Sequence, residues 1–111
     1  MAERVQWVRE ALDELQELPA SEYEAMLHAV DKLEVVGLRL GYPHSSAVKG
    51  ASRLRELRPR GGKSPWRAFY GRVGKSFVIA AIGPEARVDP RGFRRSIQAA
   101  AERLAALGNG P

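Results

Sequence analysis

The sequence predicts an α+β domain in the order helix, helix, strand, strand, strand, helix, and three features predict it. Apolar residues recur at helical spacing before Gly37 and again after Asp89 and Pro90. Between Arg53 and Ile82, three short segments alternate or run apolar between turn signals. A single domain over residues 1–111 is expected, because a chain of 111 residues supplies one core of ordinary size and little for a second.

From about Glu3 to Leu18, Val5, Val8, Leu12 and Leu15 recur three or four apart, and Trp7, Ala11 and Leu18 widen the stripe into one buried helix face. Pro19 ends that helix. Ser21 and Glu24 form an S-x-x-E capping box for a second helix, striped by Tyr23, Met26 or Leu27, Val30 and Leu33 and terminated at Gly37. Residues 37–52 hold three glycines and one proline and read as a connector. The first strand runs from about Arg53 to Arg58, the second from Trp66 to Arg72 and the third, largely apolar, from Ser76 to Ile82. The turns P-R-G-G-K-S-P and V-G-K join them, so a small antiparallel meander packed on the two N-terminal helices is expected. Asp89 as N-cap and Pro90 at the first helical position open the C-terminal helix. Phe93, Ile97, Ala100 or Ala101, Leu104 and Leu107 line one side of it, Arg91, Arg94, Arg95 and Arg103 the other, and Gly108 closes it before a frayed G-N-G-P tail.

The net charge of +5 is unevenly spread: residues 1–49 carry five Lys or Arg against nine Asp or Glu, and residues 50–111 carry thirteen against four. A basic half beside acidic helices suits a polyanion on one side, since phosphate neutralisation drives nonspecific affinity for nucleic acid. The longest apolar run, Phe77 to Ile82, is far too short to span a membrane, and the first residues lack a secretory hydrophobic segment. Cytoplasmic residence without a membrane partner is expected. With no cysteine there is no disulfide framework or thiolate metal site.

Neither a metal nor a cofactor is expected. His28 reads as a surface or boundary residue, and His44 sits in a Gly/Pro/Ser loop, so the two histidines give no ligand spacing and only a weak acid–base case. R-G-G-K-S lacks the first glycine of a phosphate-binding loop and joins two strands. Arginine, lysine and tyrosine remain. RNA cleavage by a ribose 2′-OH needs a group to orient or deprotonate the hydroxyl and stabilisation of a dianionic transition state, which arginine forks supply. Strand parity puts Leu54, Glu56 and Arg58 on one face of the first strand, and sets Arg67, Phe69 and Gly71 against Trp66, Ala68, Tyr70 and Arg72 on the second. Arg67 and Tyr70 share a face only if a bulge intervenes. Glu56 is expected to pair with an arginine, and Trp66 and Phe69 read as core.

The string R-L-R-E-L-R, then W-R-A-F-Y-G, K-S-F-V-I-A-A-I-G and a last helix ending Q-A-A-A-E-R-L resembles the RelE/ParE toxin superfamily, in its HigB or phage Gp49-like branch. The likeness runs over nearly the whole chain. It implies a RelE-like fold, a ribosome-dependent mRNA endoribonuclease without a cofactor, and a cognate antitoxin of helix-turn-helix type. It implies catalytic roles for Arg67, Arg58 and Tyr70 and an RNA contact from Lys49; Arg87 is expected to join the catalytic set, and the basic residues Arg53, Arg55, Lys63, Arg91 and Arg94 are expected to contact RNA as well. The chain departs from the pattern after the third strand, where Gly83, Pro84 and Glu85 stand in place of a Lys-Lys pair and Arg87 or Arg91 takes up the charge. The strand that such proteins place ahead of the helices is not legible, because M-A-E-R-V-Q-W-V joins the first helix. The alternative is a RelE/ParE-like binding protein, catalytically weak or inactive, that acts through a protein partner.

Overall fold

The computed structural model describes residues 4–108; the first three residues, where the first helix was expected to begin, and the tail at 109–111 lie outside them. Ten short elements follow one another. Strand β1 (Arg4–Trp7) leads into helices α1 (Arg9–Gln16) and α2 (Ala20–Val36), and a one-turn 3-10 segment (Gly37–Arg39) follows. Strands β2 (Ser45–Ala47) and β3 (Arg55–Leu57), a 3-10 turn (Pro59–Gly62), the hairpin β4 (Trp66–Val73) and β5 (Ser76–Pro84), and helix α3 (Pro90–Gly108) complete the chain. The sheet order is β1-β5-β4-β3-β2.

The class is the one expected, with two strands added. Residues 4–7, expected to be helical, form β1, which pairs in parallel with β5, so the sheet is mixed. The spacing of Val5, Val8, Leu12 and Leu15 fits a helix, yet R-V-Q-W also alternates, with Arg4 and Gln6 exposed and Val5 and Trp7 half-buried. Pairing with the apolar β5 decides between the two periods. The connector contains β2, which pairs antiparallel with β3.

Helix α2 starts one residue before Ser21, with Pro19 at its N-cap and no side chain capping it, so the expected capping box does not form. At its other end Gly37 takes a φ of 68° and stops the helix as expected. The Asp89 cap is present, its Oδ1 accepting from the Gly92 amide at 3.0 Å.

The two faces of the sheet have separate cores. Ala11 and Leu15 of α1, with Met26, Val30 and Leu33 of α2, pack on Leu57, Ala68, Tyr70 and Ile82. On the opposite face Phe93, Ile97 and Ala100 of α3 meet Leu54, Phe69, Ala80 and Ala81, and the Phe69 and Phe93 rings meet edge to face with centroids 5.4 Å apart. Apolar burial of this kind, at about 25 cal/mol per Å², is the main favourable term in folding.

The register jumps from Phe69 opposite Ala81 to Tyr70 opposite Ile79, which makes Ala80 an extra residue on β5. Pairing with β1 stops at Ile79, so the next polar groups on that edge need other partners. Side chains supply them: Glu14 Oε1 accepts from the Ile82 amide at 2.9 Å, and Arg103 donates to the Ala80 carbonyl at 2.9 Å. The two side chains also pair with each other at 3.1 Å, so α1 and α3 clasp the bare edge of β5 between them. Glu14→Ala is expected to cost about 1–3 kcal/mol, because it strands a backbone N–H and an arginine together. Glu14→Gln, whose amide oxygen still accepts from Ile82, should cost less; urea unfolding of the two variants checks the order.

Candidate functional site

Arg67 is the second residue of β4, near its start rather than in mid-strand, 2% exposed, with every donor of its guanidinium engaged. Nε donates to Glu56 Oε1 at 3.0 Å. One terminal nitrogen donates to the carbonyls of Ser64 at 2.6 Å and Trp66 at 3.0 Å. The other donates to the Gly62 carbonyl at 3.3 Å and to Glu85 Oε2 at 2.6 Å. A guanidinium has five N–H groups, and five bonds use them all. Such saturation is what makes burial of a charge tolerable.

The expected pairing of Glu56 with an arginine is therefore present, but the phosphate-stabilising role expected of Arg67 meets a group with no donor left to offer. Its geometry is that of a hub. It ties β3, the turn after it, β4 and the segment after β5 into one unit.

Tyr70, expected as a catalytic group, is also enclosed. The register irregularity sits on β5, so β4 itself alternates, and Arg67 and Tyr70 face opposite sides of the sheet. Tyr70 is 2% exposed beneath α1 and α2, with its hydroxyl 2.5 Å from Ser45 Oγ. Tyr70→Phe is expected to cost about 1 kcal/mol of stability, the worth of one hydrogen bond between neutral groups. Thermal melts of the variant beside the parent check it.

Arg58 stands at the open end of this hub. Its Nε donates to the Pro43 carbonyl at 2.9 Å, its guanidinium lies 5.1 Å from the Tyr42 ring centroid, and it reaches Glu56 at 3.6 Å. Glu56 thus holds Arg58 and Arg67 together. The Arg58 side chain remains 19% exposed and lines a groove of about 710 Å³. Helix α2 contributes Glu24, His28 and Lys32 to its lining, and the segments after α2 contribute Pro43, His44, Leu57, Arg60 and Lys63.

The Pro59–Gly62 turn within this lining is strained and pinned. Arg60 has a φ of 56°, a left-handed conformation that costs a non-glycine residue on the order of 1 kcal/mol. It is held by Glu22 at 2.9 Å and the Ser21 carbonyl at 3.2 Å, while Ser64 donates to Glu22 at 2.7 Å. Gly62 has a φ of 94°, and a Cβ there would come within 2.5 Å of the Arg58 guanidinium. Only glycine allows the turn and the arginine to share that space.

The Ser64 hydroxyl, and after it Arg60, hold the Glu22 carboxyl below its ordinary value of 4.5, against the opposing effect of burial. A depressed carboxyl pKa gives stability that is fully present above the unfolded value and is lost as pH falls through the folded one. Glu22→Gln should flatten the stability profile on the acid side of the unfolded carboxyl range and leave its neutral shape unchanged. Thermal melts across that range check it.

The remaining candidates do not converge on one face. Lys63 lines the groove. Lys49 and Arg53 are exposed between β2 and β3, and Arg55 on β3 donates to Ser45 Oγ at 3.0 Å. Arg87, Arg91 and Arg94 are exposed between β5 and the second turn of α3. The position that departs from the Lys-Lys pattern, Glu85, is the second carboxylate on Arg67. Sequence reading missed that partner, and it missed that His28 and His44 line one groove. Among the described residues no group of His, Cys, Asp or Glu could hold a metal ion, and no helix is long and apolar enough to cross a membrane.

Residues 13–82, from within α1 to the Ile82 that Glu14 caps, match the model of the family described as phage derived protein Gp49-like (DUF891). The chain belongs to the Gp49-like family. No curated protein matches it in sequence. The fold of this Gp49-like chain is similar to E. coli toxin RelE, in a mutant form in the free state, at 15% identity and a TM-score of 0.67, covering 94% of this chain and 99% of that one. It is similar to the isolated E. coli RelE toxin at 17% identity and a TM-score of 0.58, over 85% and 98% of the two chains. The archaeal RelE-RelB complex from Pyrococcus horikoshii OT3 matches at 27% identity and a TM-score of 0.55, over 78% of this chain and 99% of that one. The RelE-like class expected from the sequence is the observed one.

Proposed function

We propose that this Gp49-like protein is the toxin of a type II toxin–antitoxin pair, a cytoplasmic, metal-independent endoribonuclease that cuts mRNA on the ribosome and is neutralised by a cognate antitoxin of helix-turn-helix type. The observation that carries the site is the groove beside Arg58, which brings Arg58, Arg60, Lys63 and Lys32 around one opening of a size that admits a nucleotide. Phosphate attracts such a cluster through charge alone, and a partly desolvated arginine adds directed hydrogen bonds. RelE fold relatives, one of them complexed with RelB, support the toxin reading and an antitoxin partner.

A second reading is a binding protein of the same fold without cleavage. The saturation of Arg67 and the enclosure of Tyr70 favour it, since two of the four expected catalytic groups are turned inward. Primer-extension mapping of mRNA in a translating extract decides between them. New 5′ ends within translated codons, absent when translation is blocked, are expected for the toxin; ribosome association with intact message would establish the binding reading instead.

A further inference from the structure

We propose that His28 and His44, which line the same Arg58 groove from α2 and from the turn before β2, are the acid–base pair for cleavage of a single-stranded RNA phosphodiester. The proposal rests on the nuclease reading above and names the groups that move its protons. His28 lines the groove from α2, and His44 lines it from the turn before β2. The His44 carbonyl accepts from the Arg58 amide at 2.8 Å, which places this histidine beside the arginine.

Imidazole carries one ring nitrogen that accepts a proton and one that donates, so a pair of them can serve as base and acid. In-line cleavage needs that pairing. The 2′-oxygen attacks phosphorus and gives its proton to the neutral imidazole; the P–O5′ bond breaks, and the protonated imidazole gives its proton to the departing 5′-oxygen. The products are a 2′,3′-cyclic phosphate and a 5′-hydroxyl, with no net charge change in the phosphodiester and no oxidant, metal or cofactor consumed. Arg58 faces the same space and would hold the nonbridging oxygens as charge builds on them.

Other charged groups set the groove's field. Glu24 and Lys32 lie one helical turn either side of His28 on α2, and Arg58, Arg60 and Lys63 also line the groove. Glu56 pairs with Arg58 and Glu22 with Arg60, so four cations meet three acids and a small positive excess remains for a bound phosphate.

The test uses the full chain, programmed ribosomes and a model mRNA. His28→Gln and His44→Gln are expected to lower the cleavage rate at least about 10²-fold, the usual range for loss of a general acid or base. Each should remove one limb of a bell-shaped pH–rate profile while ribosome binding stays at the wild-type level. An mRNA carrying sulfur as the 5′-bridging atom at the cut position has a leaving group that needs no proton. It should restore the rate of one variant and not the other, which assigns acid and base. Wild-type rates and an unchanged pH profile in both variants would overturn the pair and leave the nuclease reading standing. Intact mRNA with wild-type protein bound to the ribosome would overturn the nuclease reading, and the pair with it.

Discussion

Arg67→Ala is expected to lower the unfolding free energy by about 3–5 kcal/mol, the usual cost of removing one partner from a buried ion pair. The truncation leaves Glu56 and Glu85 facing each other across a cavity and strips a hydrogen bond from the carbonyls of Gly62, Ser64 and Trp66. Arg67→Lys should recover little of the loss. A lysine has three donors at one point, too few for the five acceptors that converge here. Urea denaturation measures the difference directly. A stable Arg67→Ala protein that has lost only cleavage would reverse the assignment and make Arg67 a phosphate ligand.

Arg58→Ala is expected to do the opposite, reducing cleavage by about 10²–10³-fold with a small loss of stability. Its guanidinium stacks on an exposed tyrosine and gives one bond to Pro43, so truncation strands little that is buried. Its ion pair with Glu56 is long at 3.6 Å, and Glu56 keeps the shorter bond to Arg67. Rate measurements on programmed ribosomes, beside a thermal melt, check both halves of the expectation. Equal cleavage by wild type and Arg58→Ala would remove the groove as the seat of the chemistry.

Much of the fold was legible because its signals are local. Asp89 and Pro90 open α3 as their chemistry dictates, Gly37 ends α2, and alternation marks β4. The first strand was not legible because Val5 and Val8 satisfy two periods at once, and the choice is made by a partner more than seventy residues away. Strand β2 was hidden for another reason: S-S-A has no apolar rhythm, and only pairing with β3 extends it.

The site was half visible. Glu56 was expected to pair with an arginine, and register between β3 and β4, which parity within one strand does not supply, makes that arginine Arg67. Glu85 comes from a segment with no regular period, and nothing in its neighbours announces that it completes the shell around an arginine eighteen positions earlier. His28 and His44 were set aside for the same cause, since a helix and a loop bring them to one opening only after the sheet has formed.

The clasp of Glu14 and Arg103 around β5 also bears on synthesis. Arg103 is made twenty-three residues after Ala80, so the carbonyl exists well before the side chain that covers it. During synthesis that strand margin stays unsealed until α3 has emerged, and a chain cut before Arg103 keeps it open to aggregation or proteolysis.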